Sequence, residues 1–312
     1  MSSLIRETHS DKRFILVSRK TRLQELVEKF NTWPQAKFYL EHNNIDAMDY
    51  LVEHDTYKSC LQQAERILKP LARFQALDRD FLPNYQFSTQ DVVVVIGQDG
   101  LVANTLKYLN GQALIAINPD PQRFDGKLLP FEMADLLNVV KDTLAQKRQQ
   151  KLITFAKAQT NDGQTMLAVN DIFVGPKSHT SARYKLIWQG EEELQSSSGV
   201  IISTGFGSSG WLQSIITGAM SVSGQKHNQL AAGFNWQDKR LQFSVREPFP
   251  SQSTGTTLTF GKIDEKSPLV IESAMPENGV IFSDGIEADY LNFNSGSTVT
   301  ITVADIQGAL VI

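Results

Sequence analysis

DVVVVIGQDG, residues 91–100, decides how this chain is read. Val92, Val93, Val94, Val95 and Ile96 are β-branched and apolar without alternation, the pattern of a strand covered on both faces in a parallel sheet. Gly97 and Gly100 mark a turn in which the backbone can take positive φ or lie close against a ligand. The LVANTLKYLNG that follows reads as a short helix, with Leu101, Thr105 and Tyr108 on one side and Gly111 as its stop. Asp99 thus stands where a buried strand hands over to a helix, the edge at which open α/β sheets bind ligands. Two readings of its carboxylate are open at this point: a cap of the helix, or an active-site group.

Working outward, RFILVSRKTR gives a first strand that runs into a basic turn of Arg19, Lys20 and Arg22. Leu23, Leu26, Val27 and Phe30 share one helical face, and a second helix covers roughly 45–69 until Pro70 stops it. A short strand-like piece near 71–77 precedes 91–96, and ALIAIN at 113–118 is a further strand. FEMADLLNVVKDTLAQ is amphipathic and helical. Strand and helix alternate, so residues 1–148 are expected to form an α/β domain with a parallel sheet.

Beyond the polar bridge KRQQK the pattern changes, and 149–312 reads as a β-rich second domain whose last strand packs back on the first. Strands are expected near 151–159, 165–170, 182–188, 199–204, 241–246, 256–261, 269–273, 279–282 and 298–303. SSGWLQSIITGAM is the one helix expected there, and 221–240 reads as a long loop or flap.

Bulk properties narrow the class. With 312 residues the chain can bury a large core, in two domains. Its formal charge of −4 gives no reason to expect a nucleic-acid partner. Cys60 is the single cysteine, which excludes an intrachain disulfide and a thiolate metal cage. No apolar run approaches the ~18 residues of a membrane span, and MSSLIRETHSDKRF has no apolar signal region, so a cytoplasmic protein without a membrane partner is expected.

Several motifs fail on their context. GFGSSG at 205–210 fits G-x-G-x-x-G but lies in the β-rich half, with no acidic residue about 20 positions on. No Walker pattern, protein-kinase signature set or G-x-S-x-G elbow is present. His9, His42, His54, His179 and His227 show no metal-ligand spacing, so no residue is assigned to a metal.

What remains is a series of polar clusters at strand ends: GQDG (97–100), NPDPQRFDG (118–126), LAVNDIFVG (167–175), SSSGVIISTGFGSSGW (196–211), VREP (245–248) and SDG (283–285). In this order they resemble the NAD kinase family, and most closely its mitochondrial-type branch, which carries N-x-D-P-x-R, S-S-G before the glycine turn, and V-R-E-P. The resemblance spans roughly residues 13 to 285. It implies the NAD kinase/diacylglycerol kinase-like fold. It also implies transfer of the ATP γ-phosphoryl group to the adenosine ribose 2′-hydroxyl of NAD, with Mg2+ or another divalent metal. A homodimer is the family's expectation.

Residue by residue, the family's G-G-D-G falls on Gly97, Gln98, Asp99 and Gly100, which makes Asp99 the base that takes the ribose proton. Its N-E pair falls on Asn170 and Asp171, expected to hold the adenine-side ribose and amino groups. Its T-P-T-G-S-T-A-Y turn falls on Thr204 to Trp211, so Thr204, Gly207, Ser208, Ser209 and Trp211 are expected to contact the NAD. Asn118 matches the asparagine ending the strand beside the nucleotide pocket. Gln98 departs from the family glycine, and a side chain there would crowd the triphosphate if the backbone needs glycine. Ser198 replaces the aspartate of most bacterial members.

The chemistry agrees with the resemblance, because a ribose hydroxyl is a poor nucleophile that needs one carboxylate in reach, and phosphoryl transfer otherwise needs positioning and charge neutralisation. Alternatives stay open at this level. Asn170–Asp171 also reads as an Asx turn, Ser208 and Ser209 as N-caps, Arg19, Lys20 and Arg22 as a solvated turn, and Asp284 as a turn residue. A nucleotide sensor disabled by Gln98, or a kinase of another small molecule or lipid, are the rival functions.

Overall fold

A computed structural model describes residues 11–224 and 233–312. One unit comprises Met1–Lys151 with Ala309–Ile312, the other Leu152–Gly308.

In the first unit, β1 (Arg13–Ser18) leads into α1 (Arg22–Phe30), α2 (Trp33–His42) and α3 (Ala47–Leu68). Thr21 starts α1 through a capping box, accepting from the Gln24 N–H while the Gln24 side chain reaches back to Thr21. Then come β2 (Arg73–Asp78), a 3-10 segment (Arg79–Asn84), β3 (Asp91–Ile96), α4 (Asp99–Leu106), β4 (Ala113–Asn118), β5 (Phe131–Glu132) and α5 (Leu136–Leu144). The strands pair in parallel in the order β2-β1-β3-β4, with β5 and residues 309–310 also on β4. All six residues of β3 are buried, as the run of valines requires. Phe14, Leu16, Val92, Val94, Ile96, Ile115 and Ile117 pack on Tyr57, Ala64, Leu68, Val139 and Val140 of the helices.

The second unit is antiparallel. It contains β6 (Gln150–Thr160), β7 (Thr165–Ala168), β8 (Asp171–Pro176), β9 (Ala182–Trp188), β10 (Glu191–Ser197), β11 (Val200–Ser203), α6 (Trp211–Ser223) and β12 (Leu241–Val245). After them follow β13 (Phe260–Ile263), β14 (Leu269–Ser273), β15 (Gly279–Ser283), β16 (Tyr290–Asn292) and β17 (Thr298–Val311). One sheet runs β13-β12-β11-β8-β15-β16, and in another β10, β9, β14 and β17 are successive neighbours. Alternation along β8 sorts its side chains. Ile172 and Val174 join the large core with Ile202, Phe243, Ile271 and Ile301. Phe173 points the other way, clustering with Ile201 and Val280 against Trp211 and Ile215 of α6.

The structure corrects the sequence reading in several places. Helix α2 was not anticipated, because only Ala36 and Leu40 of WPQAKFYLEH are buried. Strands β8, β10 and β16 were also missed; the exposed, charged EEEL of β10 carries no apolar signal. Helix α4 begins at Asp99 and ends at Leu106, a turn before Gly111, which instead takes φ 83° ahead of β4. The strand expected near 256–261 lies at 260–263, and 131–132 form a short strand rather than helix. Of the expected flap 221–240, residues 221–223 are helical and 225–232 lie outside the described residues.

Candidate functional site

The order β2-β1-β3-β4 reverses direction between β1 and β3, and the carboxyl ends of those two strands form the crevice where doubly wound sheets take ligands. Tyr57 of α3 bridges that point, its hydroxyl donating to the Ile96 carbonyl at 2.8 Å and accepting from the Arg19 N–H at 3.0 Å. Burial pushes the Tyr57 phenol up to about 12, so it stays a neutral donor.

Immediately beyond Ile96 lies GQDG. Gly97 is buried, and a Cβ there would meet the Leu101 side chain at 2.8 Å. Gln98 has φ −105° and ψ 165°, an extended conformation open to any residue, so its departure from glycine strains nothing. Asp99 is the first residue of α4 rather than its cap. Its carboxylate accepts from the backbone N–H groups of Lys127 at 3.1 Å and Leu128 at 2.7 Å. Gly100 is exposed, and a Cβ there would meet nothing within 4 Å. Asn118, buried at the end of β4, donates to the Phe124 carbonyl at 3.0 Å and accepts from the Asp120 N–H at 3.0 Å. In this structure it therefore shapes the loop after β4.

The basic turn after β1 is met by carboxylates. Arg19 pairs with Glu53 at 2.8 Å, Arg22 with Asp49 at 2.8 Å and Glu53 at 3.1 Å, and Lys20 with Glu28 at 3.0 Å. Arg123 from NPDPQR joins the group, with two N–H groups on Asp49 at 2.5 and 3.1 Å. Hydrogen bonds from Arg123 and then Arg22 hold the Asp49 carboxyl well below the usual range.

In the second unit, Asn170, Asp171, Thr204 and the glycine turn come together. The Asn170 carbonyl accepts from the Thr204 N–H at 2.9 Å. The Thr204 hydroxyl donates to the Val169 carbonyl and accepts from the Gly207 N–H at 3.1 Å. A Cβ on Gly207 would lie 2.2 Å from the Asn170 carbonyl oxygen, so this glycine is demanded by the chain's own packing. Ser208 is buried and does not cap α6; its hydroxyl donates to the Gly205 carbonyl at 2.7 Å and accepts from the Phe234 N–H at 3.1 Å. Ser209 is exposed, and α6 begins at Trp211 with no side-chain cap.

Asp171, at the start of β8, faces Ser203 across the sheet, and one of its carboxyl oxygens is buried with no hydrogen-bond partner. Burial pushes this carboxyl up to about 7, the Ser203 hydroxyl opposing and Asp284 adding to the shift. Asp284 itself is in the left-handed region at φ 55°, and its carboxylate accepts from the N–H groups of Val169 at 3.1 Å and Asn170 at 2.7 Å. It closes the Asn170 turn from the turn after β15, 114 positions on.

Trp211 opens a cleft of about 250 Å³ lined with Phe173, Phe282, Tyr290, Lys177 and Arg246. Trp211 stacks on Phe173 at 5.9 Å, the Arg246 guanidinium lies 5.4 Å from the Trp211 ring, and the Lys177 ammonium lies 4.3 Å from Tyr290. Sequence reasoning missed Phe173, Lys177, Phe282 and Tyr290; the alternation in β8 and β15 is the signal that could have found the two phenylalanines.

No family model matches the sequence, and no curated protein matches it either. Two solved structures align over nearly its whole length. An NAD kinase from Archaeoglobus fulgidus in complex with ATP covers 96% of this chain and 92% of its own, with a TM-score of 0.59 and 14% identity. Yeast NADH kinase complexed with NADH covers 96% and 83%, with a TM-score of 0.59 and 12% identity. The fold is that of the NAD kinases.

On this NAD kinase fold, no group of three or more His, Cys, Asp or Glu side chains placed to hold a metal ion is found among the described residues. At the switch point the Asp99 carboxylate already accepts two N–H groups. Among the described residues no cage for a resident divalent metal is built. Among the described residues no helix is long and apolar enough to cross a membrane.

Proposed function

We propose that this chain is an NAD kinase that transfers the γ-phosphoryl group of ATP to the adenosine ribose 2′-hydroxyl of NAD, with Asp99 as general base. The observation that carries the reading is Asp99 itself: a half-buried carboxylate at the switch point, aimed by two backbone N–H groups, with the exposed Gly100 beside it. Asp99 takes the hydroxyl proton, the freed oxygen attacks the γ-phosphorus, and ADP leaves with the electrons of the broken P–O bond. Magnesium enters as part of the ATP substrate, held through its phosphates.

Gly97, Gln98 and Gly100 present backbone to the phosphates at the amino end of α4, and Asn118 shapes the pocket wall. Asn170 and Asp171 bind the adenosine, Thr204, Gly207, Ser208 and Ser209 form the turn beside it, and Trp211 offers an aromatic face in a cleft with two cations. The extended, unstrained backbone at Gln98 favours a working kinase over a disabled sensor. We also propose that the chain works as a homodimer and belongs with the mitochondrial-type branch, on N-x-D-P-x-R, S-S-G and V-R-E-P.

Purified protein incubated with NAD, ATP and magnesium, with NADP read by a coupled dehydrogenase, tests the reading. NADP formation at steady turnover is expected. No NADP at saturating substrates would overturn it.

A further inference from the structure

The N–H groups that hold Asp99 belong to a long connection, residues 119–130, between β4 and β5. Left to itself such a loop samples many conformations, and its amides would not aim a carboxylate. Here it is tied down. Asn118 fixes its start through bonds to Phe124 and Asp120, and the N–H groups of Arg123 and Phe124 both donate to the Asp120 carbonyl at 3.0 Å. Gly126, at φ 67°, turns the chain toward the two amides so tightly that a Cβ would lie 2.9 Å from the Asn118 amide. The fork of Arg123 on Asp49 of α3, 74 positions apart in sequence, ties the middle of the loop to a distant element, while the Cys60 thiol of α3 donates to the Pro119 carbonyl at its start at 3.6 Å.

We propose that the Asp49–Arg123 ion pair is a positioning device for the base, fixing the loop whose amides orient the Asp99 carboxylate. The inference rests on the reading of Asp99 as base. A carboxylate has about four lone-pair sites, and the two N–H groups take one on each oxygen. Its rotation is thereby set while a lone pair on each oxygen stays available to a hydroxyl. Two parallel guanidinium N–H bonds fix direction as well as distance, which an ammonium cannot do. The pair touches no substrate in this account; it acts through the loop.

The test uses the full chain carrying Arg123→Gln, Asp49→Asn and both together, with Arg123→Lys in reserve should the glutamine variant fail to fold. Turnover is expected to fall by about tenfold or more, from misplacement of the base. KM for NAD and ATP should stay within about twofold, because ground-state binding is untouched. The double variant should lose little more than the worse single one. Amide hydrogen exchange gives a readout independent of turnover: protection at Lys127 and Leu128 should drop while the amides of β3 and β4 keep theirs. Unchanged turnover, or retained protection at both amides, would overturn the proposal. A wild type that makes no NADP removes the kinase reading instead. Exchange at the two amides then decides the clamp by itself, lost protection supporting it and retained protection overturning it.

Discussion

Asp284, in the turn after β15, donates its backbone N–H to the Asp171 carbonyl at 2.9 Å, and its charge acts on the Asp171 carboxyl. The two acids are not equivalent. Asp284 is solvated by two backbone N–H groups, whereas the half-buried Asp171 has one buried carboxyl oxygen with no hydrogen-bond partner. Burial pushes the Asp171 carboxyl up, the Ser203 hydroxyl opposes that shift, and the charge of Asp284 adds to it.

A pH dependence follows. The Asp171 carboxyl titrates near 7 in the folded chain, against about 3.9 for an unperturbed aspartate in the unfolded one. Between those values the folded state binds more protons, so stability falls as pH rises through that window. Asp171→Asn should flatten the curve, leaving the variant more stable than wild type at pH 8 by on the order of 3–4 kcal/mol, with a small gap at pH 4. Thermal melts at several pH values check it; a gap that does not grow with pH refutes the assignment.

Asp99→Asn keeps the shape of the side chain and one acceptor oxygen but removes the base. Turnover should fall by about 10²-fold or more, with little change in NAD affinity. A variant with near wild-type turnover excludes Asp99 from proton transfer.

Asn170 commits its main-chain groups to Thr204 and Asp284, and its side-chain amide has no hydrogen-bond partner among the described residues. Asn170→Ala should therefore leave the melting temperature nearly unchanged while weakening NAD binding by about 1–3 kcal/mol. Calorimetric titration with NAD measures it, and an unaltered dissociation constant removes Asn170 from the site.

Two glycines should separate folding from function. Gly207→Ala drives a Cβ to 2.2 Å from the Asn170 carbonyl oxygen and should cost several kcal/mol, about the scale of a backbone clash in a packed core. Gly100→Ala meets only open space within a helix and should stabilise by up to about 1 kcal/mol. If bare backbone at 100 is needed by phosphates, that same variant raises KM for ATP. Equal melting shifts in the two variants would contradict this division.

Gln98→Gly tests the departure from the family pattern. Since Gln98 is extended and caps α4 with no side-chain hydrogen bond, KM for ATP should hold within about 0.5 kcal/mol, below the worth of one hydrogen bond. A large gain of activity in the variant would show that the glutamine blocks the donor.

Much of this protein was legible in the chain because local signals were strong. Five apolar β-branched residues running into Gly97 fit a doubly covered strand meeting a turn, which places Asp99 at the carboxyl end of a strand from the sequence. The order of the strand-end clusters carried the resemblance to the NAD kinases, and the fold agrees. Helix α2 and strand β10 were illegible for a local reason: few of their residues are buried, so neither carries a clean period.

Tertiary structure alone decided how the polar groups are used. Asp99 is held by amides 28 and 29 positions away, Arg123 by a carboxylate 74 positions away, and Asn170 by Asp284, 114 positions on. Periodicity reports which face of an element meets the core, because burial repeats with the helix or strand. Hydrogen bonds and ion pairs between distant residues leave no such repeat. Their partners are set by which strand ends the sheet order brings side by side, and that order is a property of the folded chain.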